Sequence, residues 1–543
     1  MRLTGAQALV KSLERESIEM VFGIPGLHSM PIFDALYRHP TIQVMTVRHE
    51  QGAAFMADGY ARASGKIAAV LSLPGPGVMN AYTGLAEAYT DSSPVLLLAT
   101  QINRADINQH KGLLHELNQQ YEILEPIMKY SEAVSKAADL PEALHRAMQQ
   151  LRNGRPRPVQ LEIPRDVQVE TMEWSEAIAA MPAAQQTRAG ATAPEIEAVV
   201  SALQAAQHPL IYAGGGAISS AASEVLIRVA ERLGAPVLTT GMGAGAIPGD
   251  HPLACGVAWI AAADIRPLVA ACDAFLAVGT KFNQGMTHDW SLDLPATTIR
   301  IDIDAAELER NLPMQHKLVG DAQAVLEAIE TGLVAAGVAR HGQMSSQMHT
   351  ARASYRAALQ AKVGGTAPWL AALRESLPRD TVISADMSLF WADMLGIFPI
   401  YQPRTMLFPW GFGTLGFAIP EALGAKAALP DRPVIAIAGD GAFLFTGAEL
   451  ATAVQYGLNI PILVPNNEAY GMIKVQQRDQ YDEQFMAVDL HNPDFVALAH
   501  AFGAYGARVA TPEAMGQAIR QALGADKPTV IEIPWSWTWG SEK

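Results

Sequence analysis

Short apolar runs alternate with segments of helical periodicity along most of this chain. In the first 172 residues the runs at 20–23, 43–48, 67–72, 95–100 and 159–163 predict strands, with helices between them. The same alternation returns from about residue 366 onward. A pattern of this kind predicts parallel sheets covered by helices on both faces, so the fold class is α/β. We expect doubly wound sheets.

The chain divides into three predicted domains. Runs at 210–213, 237–240, 274–278 and 298–303 predict a middle sheet, and the flanking segments 179–194 and 340–366 are rich in Ala, Gln, Ser and Gly, which is typical of linkers. We therefore expect domains at 1–172, 190–335 and 366–543, since 543 residues are too many for one core. The outer domains end alike, in PVQLEIP (158–164) and PTVIEIP (528–534), which suggests that they are related.

Composition excludes several function classes. The net charge is −15 with no basic run, which argues against nucleic acid or an anionic membrane as a partner. No apolar run is long enough to span a bilayer, and residues 1–17 do not have the pattern of a signal peptide. The two cysteines, Cys255 and Cys272, show no metal-ligand spacing, so we expect a cytoplasmic protein.

The richest candidate chemistry lies between residues 434 and 467. Two apolar runs, 434–438 and 460–464, predict neighbouring parallel strands, and Thr446 with Glu449 has capping-box spacing for a helix that stops at Gly457. A right-handed crossover then brings Asp440 and Asn467 to one crevice. A carboxylate and an amide oxygen suit Mg²⁺, which takes its other ligands from phosphates and water. Two glycines would let the backbone approach a phosphate: Gly439 and Gly441.

This arrangement resembles the thiamine diphosphate (ThDP) enzymes of the pyruvate decarboxylase and acetohydroxyacid synthase superfamily, over nearly the whole chain. The resemblance implies a pyrimidine-binding first domain, a central domain and a pyrophosphate-binding third domain. It also implies that Asp440, Asn467 and the carbonyl of Ala469 bind the metal. The implied contacts to the diphosphate come from the same region: Ser388, Gly439, Gly441, Ala442, Tyr470, Gly471 and Met472.

Other motifs of the same family imply the rest of the site. Glu50, in RHEQGAA (48–54), matches the glutamate that activates the cofactor, and Pro76 and Asn80 match the loop lining the pyrimidine pocket. In GFGTLG (411–416), Leu415 matches the wedge between the two cofactor rings and Gly413 the carbonyl that holds the exocyclic amine. For contact with the substrate we expect His28, His115 and Glu116, with both histidines in catalytic roles.

The implied activity is non-oxidative decarboxylation of a 2-oxo acid, with possible carboligation. Acetolactate synthases of the family carry a Trp where Gln476 stands and Gly-Met-His-Gly at the FAD site, where this chain has GVAW (256–259). FAD is therefore not expected, and segment 111–117 resembles decarboxylases of basic 2-oxo acids.

Four alternatives stay open. They are an acetolactate synthase-like carboligase, a 2-hydroxyacyl-CoA lyase, a protein that binds ThDP without catalysis, and a nucleotide at Gly214-Gly215-Gly216, where tight helix–strand packing is the other interpretation. In this family the cofactor lies between two chains, which implies a homodimer or homotetramer.

Overall fold

A computed structural model describes residues 1–259, 263–340 and 342–536. Three six-stranded sheets, each made of parallel pairs, dominate the fold, and helices flank them. This confirms the predicted α/β class. Among the described helices, none is both long and apolar enough to cross a bilayer.

The first domain is built on the strand order β3-β2-β4-β5-β7-β6, with β1 and β8 forming a separate antiparallel pair. Thr4 and Gln7 form a reciprocal capping box at the first helix. The strands are β1 Arg2–Thr4, β2 Met20–Gly23, β3 Gln43–Thr46, β4 Ala68–Ser72, β5 Val95–Gln101, β6 Tyr130–Ala133, β7 Val159–Pro164 and β8 Thr171–Glu173. The helices are α1 Gly5–Arg15, α2 Met30–Tyr37, α3 Glu50–Ser64, α4 Pro76–Thr90, α5 Gln120–Leu124, α6 Leu140–Arg152, α7 Arg165–Val169 and α8 Glu176–Ala179.

The central domain has the order β11-β10-β9-β12-β13-β14. Its strands are β9 Pro209–Ala213, β10 Val237–Thr239, β11 Ala254–Val257, β12 Ala274–Val278, β13 Thr297–Asp302 and β14 His316–Val319. Its helices are α9 Ala193–Ala205, α10 Gly215–Ser219, α11 Ser223–Leu233, α12 Arg266–Ala270, α13 Ala305–Leu308 and α14 Ala322–Ala335.

The third domain has the order β16-β15-β17-β18-β20-β19, so the chain reverses direction across the sheet between β15 and β17. A crevice forms at the carboxyl ends of strands at such a point. The strands are β15 Val382–Ala385, β16 Met406–Leu407, β17 Val434–Ile437, β18 Pro461–Asn466, β19 Tyr505–Arg508 and β20 Thr529–Pro534. After the connecting helix α15 Ser346–Val363, the helices are α16 Ala367–Ser376, α17 Leu389–Ile397, α18 Ala418–Ala428, α19 Asp440–Thr446, α20 Leu450–Tyr456, α21 Gly471–Gln480, α22 Phe495–Ala501 and α23 Pro512–Leu523.

Two local predictions are wrong. Residues 340–366 are not an irregular linker: α15 packs Met348, Tyr355 and Leu359 into the core of the central domain, an attachment that its mixed composition concealed. The helix predicted to stop at Gly457 is present as α20, but a separate helix, α19, already begins at Asp440, and the predicted capping box at Thr446 is wrong. The Thr446 hydroxyl donates to the carbonyl of Gly416, and Glu449 turns towards the first domain, so no capping box forms.

The first and third domains share one hydrophobic core, in which α3 packs directly against α18. The two helices approach closely because each carries a glycine at the contact. A Cβ atom at Gly59 would overlap the carbonyl of Glu421, and one at Gly424 would overlap the carbonyl of Met56. Because the first and third domains are in direct contact, side chains of each domain can form hydrogen bonds with loops of the other.

Candidate functional site

Asp440 stands where β17 ends and α19 begins. Its strand pairs in parallel with β18, Ile437 lying opposite Leu463, so Asp440 and Asn467 leave the sheet at the same edge. The side chain is buried, and burial raises the pKa of the Asp440 carboxyl. The Asn492 side chain, which donates a hydrogen bond to the carboxylate, acts in the opposite direction. The structure thus joins the two ends of the predicted metal motif.

The loop after β18 is tightly packed around Asn467. The Oδ1 of Asn467 accepts the N–H of Ala469 at 3.2 Å, and a Cβ atom at Gly471 would overlap the Asn467 amide. The carbonyl of Ala469 accepts the N–H of Gly471 at 2.9 Å, which leaves one lone pair for another partner. A Cβ atom at Gly441 would lie 2.8 Å from the ring of Tyr470. The absence of a side chain at Gly471 and Gly441 thus leaves space for the side chains of Asn467 and Tyr470.

Asn492 also belongs to this group. Its Nδ2 donates to Oδ2 of Asp440 at 2.7 Å and to Oδ1 of Asn466 at 3.0 Å. Its own Oδ1 is buried and has no hydrogen-bond partner in the described part of the chain. Asn492 follows β18 in a segment without periodicity, so no sequence signal marks it.

The oxygens fit a divalent cation of the magnesium type. A buried carboxylate, an amide oxygen and a carbonyl with a spare lone pair are hard ligands, and an orphaned buried oxygen stands beside them. Among the described residues, no group of three or more His, Cys, Asp or Glu side chains could hold a metal. A site with one carboxylate therefore suits a metal that receives its remaining ligands from a diphosphate and water.

The facing wall of the crevice comes from the loops after β15 and β16. Ser388 caps α17 by accepting the N–H of Trp391, and a Cβ atom at Gly439 would lie 3.3 Å from the Ser388 Cβ. Gly413 has φ +75° and lies beside Met387. Leu415 is half-buried and lies outside the described hydrophobic clusters, so it is not an ordinary core leucine. Two further predicted contacts stand in the first turns of α19 and α21: Ala442 and Met472.

Glu50 begins α3 at the carboxyl edge of the first sheet and is 7% exposed. The Nδ2 of Asn80 donates to its Oε2 at 2.9 Å, which fixes the carboxylate. A Cβ atom at Gly77 would lie 3.3 Å from its Oε1. Pro76 opens α4, with Gly75 at φ +62° before it, a conformation that favours glycine. The structure therefore groups the predicted residues of the pyrimidine pocket.

His28 and His115 stand side by side next to this group, with ring centroids 5.3 Å apart. A Cβ atom at Gly75 would lie 2.9 Å from the carbonyl oxygen of His115. His115 adopts φ +64°, which is uncommon for a non-glycine residue. Burial, together with His115 and Arg165, lowers the pKa of His28, so its imidazole is neutral near pH 7. The Nδ1 atoms of both rings are buried and unpaired among the described residues.

Glu116 does not join the histidines. Its carboxylate accepts the N–H groups of Lys111 at 3.2 Å and Leu113 at 3.0 Å, so it closes its own loop. Lys111 in turn pairs with Asp106 at 2.8 Å. The side chain that sequence reasoning assigned to the substrate thus has a local structural partner.

Within one chain, the described residues show no hydrogen bond or ion pair between Glu50 and Asp440. Two other carboxylates, which sequence reasoning missed, cross between the domains instead. Glu449 of the third domain accepts the N–H groups of Arg48 and His49, each at 3.0 Å. Glu87 of the first domain accepts those of Phe412 and Thr414, each at 3.3 Å.

A cavity of about 510 Å³ lies among the three domains and is bordered by Gly215, Gly216 and Lys281. Cβ atoms at Gly214 and Gly216 would collide with Gly279, so the glycine triplet serves tight helix–strand packing.

Comparisons with known proteins agree with this geometry. Three family models match: the thiamine pyrophosphate enzyme N-terminal TPP binding domain at residues 3–123, the central domain at 196–329 and the C-terminal TPP binding domain at 387–533. A probable acetolactate synthase large subunit of Methanocaldococcus jannaschii is 33% identical over 98% of this chain and 92% of that protein. A probable 2-ketoarginine decarboxylase of Pseudomonas aeruginosa is 36% identical over 98% and 94% respectively. The acetolactate synthase large subunit of Haemophilus influenzae is 32% identical over 98% and 94%.

Proposed function

Because this chain belongs to the thiamine pyrophosphate enzyme family, we propose that it removes carbon dioxide from a 2-oxo acid, without oxidation, using ThDP and Mg²⁺. The observation that carries the proposal is the buried Glu50, held by Asn80 at the carboxyl end of a strand in the first domain. A buried carboxyl group in that place, with no cationic partner among its described contacts, supports a role in proton exchange.

The residues of the third domain would hold the diphosphate end. Asp440, Asn467 and the Ala469 carbonyl would bind the metal, and the glycines beside them would let backbone approach the phosphates. When bound, ThDP acts as the electron sink that lets a 2-oxo acid lose carbon dioxide. Glu50 would exchange a proton with the pyrimidine ring, and the hydrogen bond from Asn80 would keep its carboxyl group oriented for that exchange.

The adjacent rings of His28 and His115 support a role in handling the substrate. An uncharged His28 can donate a hydrogen bond at neutral pH without a buried positive charge, and its free ring nitrogen can accept a proton during the reaction. His115 is held beside it in an uncommon backbone conformation, which the surrounding structure maintains. We assign these two residues to substrate orientation and to proton transfer at the product.

Two observations favour decarboxylation of a basic 2-oxo acid over carboligation. The relative named as a probable 2-ketoarginine decarboxylase matches over nearly the full length. Gln476 is an exposed polar residue on α21, where the synthases resembled in the sequence carry a Trp. Acetolactate synthesis is the second candidate, because several relatives carry that name at similar coverage.

The test is incubation of purified protein with ThDP, Mg²⁺ and a panel of 2-oxo acids that includes pyruvate and 2-ketoarginine, with carbon dioxide and products measured. Carbon dioxide with the aldehyde one carbon shorter supports the proposal, and acetolactate from pyruvate supports the second candidate. Calorimetric uptake of ThDP without carbon dioxide from any acid would leave a non-catalytic binding protein. No uptake in excess Mg²⁺ would reject all three.

A further inference from the structure

The buried carboxyl group of Glu87, in the first domain, lies against a backbone segment of the third domain. Residues 408–414 run along α3 and α4, and the backbone of every second residue forms a hydrogen bond with a side chain of the first domain. Arg62 donates to the carbonyl of Phe408 at 2.8 Å, and Asp91 accepts the N–H of Trp410 at 3.0 Å. Glu87 then takes the next two alternate N–H groups, those of Phe412 and Thr414. These three side chains are almost fully buried.

The two N–H groups that Glu87 accepts belong to the residues on either side of Gly413. The peptide between Gly413 and Thr414 is trans, so its C=O and N–H point in opposite directions. Since the N–H of Thr414 is directed at Glu87, the carbonyl of Gly413 must point away from α4. Among the hydrogen bonds of the described residues, none uses that carbonyl. It is a free acceptor, in a residue whose Cα side faces Met387.

We propose that Glu87 is a positioning residue that sets the direction of the Gly413 carbonyl, the acceptor for the exocyclic amine of the cofactor. The inference rests on the proposed function, because it assigns the carbonyl to a ThDP site. Gly413 cannot hold this direction by itself: at φ +75° it has no side chain to restrict it, and glycine is the most mobile backbone unit. Two hydrogen bonds from its flanking amides to one carboxylate supply the restriction.

Glu87→Gln tests the inference. The variant keeps the shape but presents an N–H₂ group to one of the two N–H donors, so one hydrogen bond is lost. Two readouts are expected to change together: faster hydrogen–deuterium exchange at 412–414 in cofactor-free protein, and about tenfold weaker calorimetric affinity for ThDP in excess Mg²⁺, equivalent to about 1.4 kcal/mol. Glu87→Met has a side chain of similar length without a strong hydrogen-bond acceptor, so it is expected to show both effects more strongly. It is the second variant to be measured if Glu87→Gln does not fold.

Asp91→Asn is the matched control. The substitution removes an acidic side chain from the same buried group. Asp91 accepts the backbone N–H of Trp410, which lies farther along the chain from Gly413 than the two N–H groups that Glu87 accepts. Its ThDP affinity is expected to stay within about twofold of wild type, well under the 1.4 kcal/mol of a tenfold change. Equal losses in Asp91→Asn and Glu87→Gln would overturn the inference in favour of general loosening. Wild-type affinity and exchange in Glu87→Gln would also overturn it while leaving the proposed function intact, whereas failure of the wild-type protein to take up ThDP would remove both.

Discussion

The Oε1 of Glu449, in the third domain, accepts the backbone N–H of His49, the residue immediately before Glu50, at 3.0 Å. Oε2 of the same carboxylate accepts the Thr452 hydroxyl at 2.6 Å, so the acceptor is itself fixed. Burial raises the pKa of the Glu449 carboxyl, and the N–H groups that it accepts act against that rise. One domain therefore sets where the candidate catalytic helix of the other begins.

Gly52→Ala is expected to disturb this contact, because a Cβ atom at position 52 would overlap the Glu449 carboxylate. We expect a loss of about 1–3 kcal/mol in the free energy of unfolding, typical of overpacking, and a fall in carbon dioxide release. Urea denaturation and a turnover assay measure the two effects. Gly190→Ala is the control, since nothing lies within 4 Å of a Cβ there. Unchanged stability and turnover in Gly52→Ala would contradict the prediction.

Glu50→Gln is expected to keep ThDP binding and to lower carbon dioxide release at least about 100-fold, the lower range for loss of a general acid–base group. The amide retains the size of the side chain and a hydrogen bond with Asn80 but cannot exchange the proton. Calorimetry and a carbon dioxide assay separate binding from turnover. Glu197→Gln, at an exposed position on α9, serves as the control. Turnover at the wild-type rate would remove Glu50 from the catalytic assignment.

Asn492→Ala is expected to raise the Mg²⁺ concentration needed for ThDP uptake about tenfold or more, as loss of a residue that orients a metal ligand does. Its Nδ2 is the side-chain donor that holds Asp440. Titration with Mg²⁺ at fixed ThDP, after removal of bound metal with a chelator, measures the change. Asn103→Ala, at an exposed loop position, is expected to titrate like wild type. An unchanged midpoint in Asn492→Ala would show that Asp440 needs no such support.

A mixture of Glu50→Gln and Asp440→Ala subunits is expected to regain part of the turnover that each variant lacks. The family resemblance found in the sequence implies a cofactor site shared between two chains, so the site is expected to draw Glu50 and Asp440 from two chains. In a mixed dimer one of the two sites then has both native residues. The subunits are mixed under exchange conditions and assayed beside each variant alone. Absence of recovery despite demonstrated exchange would place both residues of a site in a single chain.

Asp386 is expected to make stability pH-dependent. It is fully buried, and burial raises its pKa from the ordinary 3.8 to about 7, although it accepts the N–H groups of Phe417 and Ala418. An acid with a raised folded-state pKa contributes stability that is present below about pH 4 and lost as the pH rises towards 7. The stability deficit of Asp386→Asn relative to wild type should therefore shrink by a few kcal/mol over that range.

Urea denaturation at several pH values between about 4 and 8 tests this expectation. Asp34→Asn, at an exposed carboxylate paired with Arg38, provides the comparison and is expected to show a nearly constant difference from wild type. A deficit of Asp386→Asn that stays constant with pH would mean that this carboxyl does not titrate in that range.

Local patterns in the sequence determined the α/β class and the position of the principal site residues. Buried parallel strands read as apolar runs, and residues that follow such runs must emerge at one edge of a sheet, so Glu50, Asp440 and Asn467 could be placed at strand ends. The short edge strands β6, β11, β14, β16 and β19 escaped prediction because they are short or half exposed. Helix α15 escaped because its apolar positions are sparse.

Only the tertiary structure decided which side chains support the site. Glu449 meets His49 across 400 positions of the chain, and Glu87 meets Thr414 across 327. Both carboxyl groups accept backbone N–H groups, which every residue except proline has. The sequence therefore does not indicate which residues these carboxyl groups contact. Periodicity records which face of an element is buried. It does not record which distant loop a buried carboxylate will hold, because that depends on how the domains pack.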